Sequence, residues 1–182
     1  MKEFTFEWMI EKYGLFFRKF GLTPDILREN QNHTKTFDYA WEILHIIMGA
    51  NYYAYRAHKI TLEQDRIIDL EIQKIRISML KEKGHNVKLF QIQYLLDELK
   101  FIVRTYGDEL KGLELFSSGC CEYCDKYINK LLTPKEVLSF VVYINHNCKR
   151  QHYCNIEILP IVSNEVNDAV SHWVITGRFN LD

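Results

Sequence analysis

All five cysteines of this 182-residue chain fall between Cys120 and Cys154, and that clustering constrains the fold more than any other feature. Cys121 and Cys124 form a C-x2-C knuckle just after Gly119, and Cys148 and Cys154 follow about two dozen residues later. The knuckle spacing lets two thiolates converge on one ion while the backbone turns beneath it. Two further thiolates complete the tetrahedron of soft ligands that Zn2+ favours in structural sites. The candidate ligand set is therefore Cys121, Cys124, Cys148 and Cys154, with Zn2+ as the cofactor. Cys120 competes with Cys121 for the first position, and His146 and His152 flank the second pair as alternative ligands. The competing account treats the thiols as small buried hydrophobes. A redox pair lacks the strand–CxxC–helix context of thioredoxin-like proteins.

The chain around these cysteines is short and broken. Thr133-Pro134-Lys135-Glu136 is a capping box with proline in the first turn, predicting a short helix from Pro134 to Phe140. Asn155 to Val162 alternates and is β-branched, a strand that Pro160 places at a sheet edge. Ser163 to Gly177 carries Val166, Val170, Trp173 and Val174 on one face, predicting a last amphipathic helix. Segments this short bury little apolar surface, whereas zinc supplies about 10–16 kcal/mol of apparent folding energy in finger-like peptides.

Upstream, the period changes to that of long helices. Phe6, Met9, Ile10, Tyr13, Phe16, Phe17 and Phe20 recur at three- and four-residue steps until Gly21. Thr23-Pro24 restarts a short helix. Residues 36–58 are apolar almost all round and read as a central buried helix. Thr61 and Gln64 form a capping box opening a helix to about Lys83, with Ile68, Ile72, Ile75 and Met79 inward. A fourth long helix, 87–106, turns Ile92, Leu95, Leu96, Leu99, Ile102 and Val103 inward, and Gly107 and Gly112 end it. The expected fold is mainly α: a four-to-five-helix bundle over 1–114, with 115–182 a small zinc-stabilised α/β cap packed on it.

Composition narrows the function classes. A 47% hydrophobic content excludes disorder. The formal net charge is −1 and evenly spread, so the basic field of a strong nucleic-acid binder is missing. The first residues, Met1 to Trp8, mix acids with apolar groups and do not read as a secretory signal. The longest uncharged greasy run, 43–55, is too short to span a bilayer. The expectation is a cytoplasmic protein with no membrane association, where clustered thiols point to metal rather than to disulfides.

Catalytic constellations are weaker. Four cysteines leave no open position for water on a metal, and a nuclease built on His146-Asn147 lacks a second histidine and acidic ligand at suitable spacing. His45, Asn51, Tyr55 and His58 can line a polar pocket, but the plainer account makes His45 a satisfied core histidine and His58 an exposed residue at a helix C-terminus. Glu63, Asp65, Asp69 and Glu71, interleaved with Arg66, Lys74 and Arg76, read as a solvated helix face. No phosphate-cradling glycine loop, nucleophile elbow or His-Glu-x-x-His is present.

The stretch Cys121-Glu-Tyr-Cys124, Asn129-Lys130, Thr133 to Glu136 and Asn145 to Cys148 resembles the zinc-knuckle tail of phage minor head (head-morphogenesis) proteins. Those pair a C-x2-C with a later Pro-His-Pro-x-Cys-x-Cys. Here proline is missing on both sides of His146, and the closing cysteine lies six residues on instead of two. The resemblance covers about a fifth of the chain and implies a metal site. The expected function is a non-enzymatic, zinc-stabilised protein-interaction domain whose partner is another protein. The alternative is a nucleic-acid-binding or nucleic-acid-processing factor that uses the knuckle as its grip.

Overall fold

The computed structural model describes residues 4–31, 34–117, 119–149 and 156–162. Two compact units divide the chain at His85/Asn86.

The first unit is helical. Helix α1 (Phe6–Arg18) starts where the Thr5 hydroxyl accepts the Trp8 N–H at 3.1 Å, and Thr23 caps α2 (Pro24–Asn30) in the same way. Helix α3 (Thr36–Arg56) and α4 (Leu62–Glu82) follow, the latter opened by the reciprocal Thr61–Gln64 capping box. Met9 and Phe17 of α1, Leu44 of α3 and Ile72 and Met79 of α4 are fully buried in one core, with Ile75 partly buried against it. Polar groups fasten its margin: the Trp8 indole N–H donates to Glu82 at 3.1 Å, and the Tyr39 hydroxyl donates to the Leu27 carbonyl at 2.8 Å.

Three expectations for this unit change. Helix α3 is amphipathic, not buried all round: Ala40, Ile43, Leu44 and Ile47 face the core, while Ile46 and Tyr53 are 61% and 73% exposed. His45 is exposed rather than a core histidine, since it lies on that outer face; His58 is exposed, just past the helix end. Asp65 is buried rather than solvated, because its carboxylate accepts the Asn51 side-chain amide at 2.7 Å. A buried carboxylate persists only with such a donor. Burial, followed by the neighbouring Asp65 charge, raises the pKa of Asp69 one turn on.

The second unit packs two helices and a sheet. Helix α5 (Lys88–Tyr106) ends in a single 3-10 turn at Gly107–Glu109, with Gly107 at φ +49°. Strand β1 (Leu110–Ser117), the one-turn helix α6 (Glu122–Asp125), strand β2 (Leu131–Leu132), helix α7 (Pro134–Asn147) and strand β3 (Ile156–Val162) follow. The sheet is antiparallel in the order β2-β1-β3, with Leu113 opposite Leu132 on one side and Leu115 opposite Ile158 on the other. Its inward residues Leu113, Leu115 and Ile158 share a core with Leu95, Leu99 and Ile102 of α5 and Val137, Phe140, Val141 and Ile144 of α7.

The chain is thus mainly helical with a small three-stranded antiparallel sheet. Helix α5 belongs with the sheet: its buried stripe joins the second core, which moves the division from the expected 114/115 to 85/86. Strands β1 and β2 were not expected. Gly112 lies inside β1 rather than at a helix stop, and a Cβ there would come within 2.5 Å of the Leu131 side chain and 3.2 Å of the Leu132 carbonyl. The strand expected at Asn155 to Val162 is present as β3, at a sheet edge, as Pro160 requires. The last helix expected at 163–177 lies outside the described residues.

Candidate metal centre

Three cysteines from two separate elements meet in the second unit. Cys121 is the N-cap residue of α6, with extended backbone (φ −82°, ψ 163°), and Cys124 lies in the single turn that follows. The Cys121 carbonyl accepts the Asp125 N–H and the Cys124 carbonyl accepts the Tyr127 N–H, each at 3.0 Å, so the knuckle is a closed turn. Cys148 arrives from the other direction as the C-cap of α7, its N–H donating to the Ile144 carbonyl at 2.9 Å.

The surrounding elements fix these positions. The Thr133–Glu136 capping box sets the start of α7, and Phe140 on its buried face stacks on Tyr123 at 5.9 Å between ring centroids and meets Tyr127 at 4.9 Å. Tyr123 lies between Glu122 and Cys124, so this aromatic contact ties the knuckle directly to α7. From the sheet side, Leu115 bridges Ile128 and accepts the Asn129 N–H at 3.0 Å, with Asn129 in the left-handed region at φ +55°.

The sulfurs of Cys121, Cys124 and Cys148 all lie within 4.8 Å of one another, and Cys121 Sγ and Cys148 Sγ are 3.7 Å apart. Two thiolates bound tetrahedrally at about 2.3 Å from one zinc are about 3.8 Å apart by the same geometry. The donor set fits a soft or borderline metal ion: three sulfurs, two of them buried at 0% and 4% exposure, with no disulfide among the four described cysteines. Burial pushes the Cys121 thiol up. Hydrogen bonds from the Cys124 backbone, the Cys124 and Cys148 side chains and the Lys149 backbone outweigh it and bring the pKa down to about 6. A thiol poised to ionise at neutral pH is what metal ligation needs. Burial, then Tyr127 and the two knuckle sulfurs, pushes Tyr123 up to about 12, so its hydroxyl stays neutral beside them.

Of the four ligands expected from spacing, the structure brings Cys121, Cys124 and Cys148 together, and Cys154 lies outside the described residues with His152. Cys120 is half-buried and stands outside the sulfur group, and His146 is exposed in the last turn of α7 and also does not join it. Helix α7 runs to Asn147, a full seven residues past the expected end at Phe140. Its signal was in the sequence: Val137, Phe140, Val141, Ile144 and Cys148 recur at three- and four-residue steps, which makes Cys148 a continuation of the helix's buried stripe. No described helix is long and apolar enough to cross a membrane. Compared with known protein families, curated proteins and solved structures, the chain matches none.

Proposed function

We propose that the second unit is a zinc-stabilised, non-enzymatic module that presents a surface to another protein. The observation that carries this reading is the convergence of three sulfurs, from the knuckle and from the end of α7, at the spacing zinc requires. Cys154, six residues after Cys148 in the sequence, is the candidate for a fourth thiolate, and a four-thiolate site has no position for a reactive water. Zinc in such a site clamps α6 to α7 and does no chemistry. The assignment requires reduced thiols, as in the cytoplasm.

The outer face of the sheet supports the interaction role. Leu131, Glu114 and Leu159 stand in one cross-strand row, with Phe116 in the next outward position of β1. Leu131, Leu159 and Phe116 are 60%, 43% and 48% exposed. Exposed leucine and phenylalanine side chains around a central Glu114 are suited to burial by a protein partner.

The first test is metal content of gently purified protein, with thermal melting before and after chelation. One zinc per chain, with the melting temperature lowered on its removal and restored by added zinc, supports the reading. Metal-free protein with all thiols reactive and melting unchanged by added zinc sinks it. The partner role is tested by capture: a bound protein retained by the wild type and lost with Phe116→Glu is expected, and equal retention by both removes the sheet face as the contact.

A further inference from the structure

The outer face of α3 carries a pattern that the described residues of its own protomer do not use. Glu42, Ile46, Gly49, Tyr53 and Arg56 follow one another at steps of four, three, four and three residues. At 100° per residue they fall within an arc of about 80° on one side of the helix. This is the spacing of a seam that packs against another helix, yet it points away from the core face of Ala40, Ile43, Leu44 and Ile47. Ile46 and Tyr53 are 61% and 73% exposed, and Glu42 and Arg56 are exposed at the two ends.

Gly49 sits at the centre. A glycine in a helix interior costs about 0.5–1 kcal/mol relative to alanine. None of the described residues accounts for it, since a Cβ at this position would meet no atom of theirs within 4 Å. Lacking a side chain, Gly49 leaves room for the backbone of another helix to approach closely.

The charges identify what approaches. Glu42 and Arg56 stand seven residues before and seven after Gly49, so along one helix they are about 21 Å apart and cannot pair with each other. Around a two-fold axis at Gly49, an antiparallel second copy places its Arg56 beside Glu42 and its Glu42 beside Arg56. The same operation brings Ile46 within one residue's rise, about 1.5 Å along the axis, of the second copy's Tyr53, on both sides of a glycine–glycine crossing. A parallel arrangement puts like charges together at both ends. Self-complementarity under a two-fold is the requirement of an isologous interface.

We propose that this face of α3 is a homodimer interface, formed by antiparallel packing of α3 on α3 of a second copy of this chain about Gly49. It is independent of the metal site.

The test is sedimentation of the full-length protein across a concentration series, with circular dichroism to verify helicity. Wild type is expected to associate reversibly into a dimer. Glu42→Arg alone and Arg56→Glu alone each create two like-charge contacts per dimer, and each is expected to raise the dissociation constant about tenfold or more. The double exchange E42R/R56E restores the unlike pairs and is expected to restore dimerisation, an outcome that a merely structural role for either residue does not produce. Gly49→Leu is expected to abolish the dimer while keeping the helix. A monomer at every concentration overturns the proposal, whether the face is bare or covered by another part of the chain or another protein. So does a dimer indifferent to the single exchanges, or one that the double exchange fails to rescue.

Discussion

Phe140 joins the core of the second unit to its metal centre, and truncating it tests both connections. The side chain is 1% exposed, stacked on Tyr123 and in contact with Tyr127. Phe140→Ala removes the whole ring from the buried core that α7 shares with β1 and α5. Such truncations cost about 3–5 kcal/mol, cavity included. Against a domain stability of about 5–15 kcal/mol this is a large fraction. At about 1.4 kcal/mol per tenfold, the slowest-exchanging amides of α7 and β1 should exchange about two to four orders of magnitude faster. Peptide-resolved hydrogen exchange reads this directly, and peptides from α1 serve as an internal control because their core is a separate cluster. Phe140→Leu, which keeps most of the volume, should cost less than about 1.5 kcal/mol. Zinc affinity should fall with Phe140→Ala, since Tyr123 loses the surface that orients the knuckle. Less than a tenfold change in exchange within α7 and β1, or an equal change in α1, refutes the reasoning.

Other perturbations separate the roles of neighbouring groups. Cys148→Ser should abolish stoichiometric zinc binding while Cys120→Ser retains it, as read by metal analysis of purified protein, because only the former removes a sulfur from the cluster. In chelator-treated protein, alkylation of Cys121 should outpace that of buried Cys124 and inflect near pH 6. The folded state favours the Cys121 thiolate, so its stabilising contribution is complete above pH 9.0 and is lost as the pH falls through about 6. An inflection above pH 8 contradicts the lowered pKa. Asn51→Ala should cost about 1–3 kcal/mol in urea unfolding by leaving the buried Asp65 carboxylate without its donor, and the cost should shrink in an Asp65→Asn background. Thr61→Ala, which removes one half of a capping box, should cost about 1 kcal/mol, with the change confined to the midpoint and not the slope of the unfolding curve.

Local chemistry was legible in the sequence, and the elements it governs are where expected. The Thr23, Thr61 and Thr133 caps each begin the helix predicted from them, because a cap is an interaction between residues three apart and needs no tertiary partner. The knuckle cysteines meet for the same reason. The stripes on α1, α4 and α5 were readable as stripes, but a stripe states only that a face is covered and not by what. Helix α5 was therefore assigned to the wrong core, since Leu95, Leu99 and Ile102 are equally suited to helical neighbours and to a sheet.

What the sequence determined by itself is thus helices α1 to α5 and the start of α7, the caps at Thr23, Thr61 and Thr133, and the presence of cysteines with metal-ligand spacing. The tertiary structure decided which surfaces meet. Leu110–Ser117 becomes a strand because pairing on both sides satisfies its backbone and seats Leu113 and Leu115 in a core shared with α5 and α7. Asp65 is buried because Asn51, fourteen residues away on another helix, supplies a donor. Cys148 reaches Cys121 and Cys124 because α7 continues to Asn147 under the packing of Phe140, Val141 and Ile144. Each of these outcomes rests on contacts between distant parts of the chain, whose energies are absent from any short window of residues.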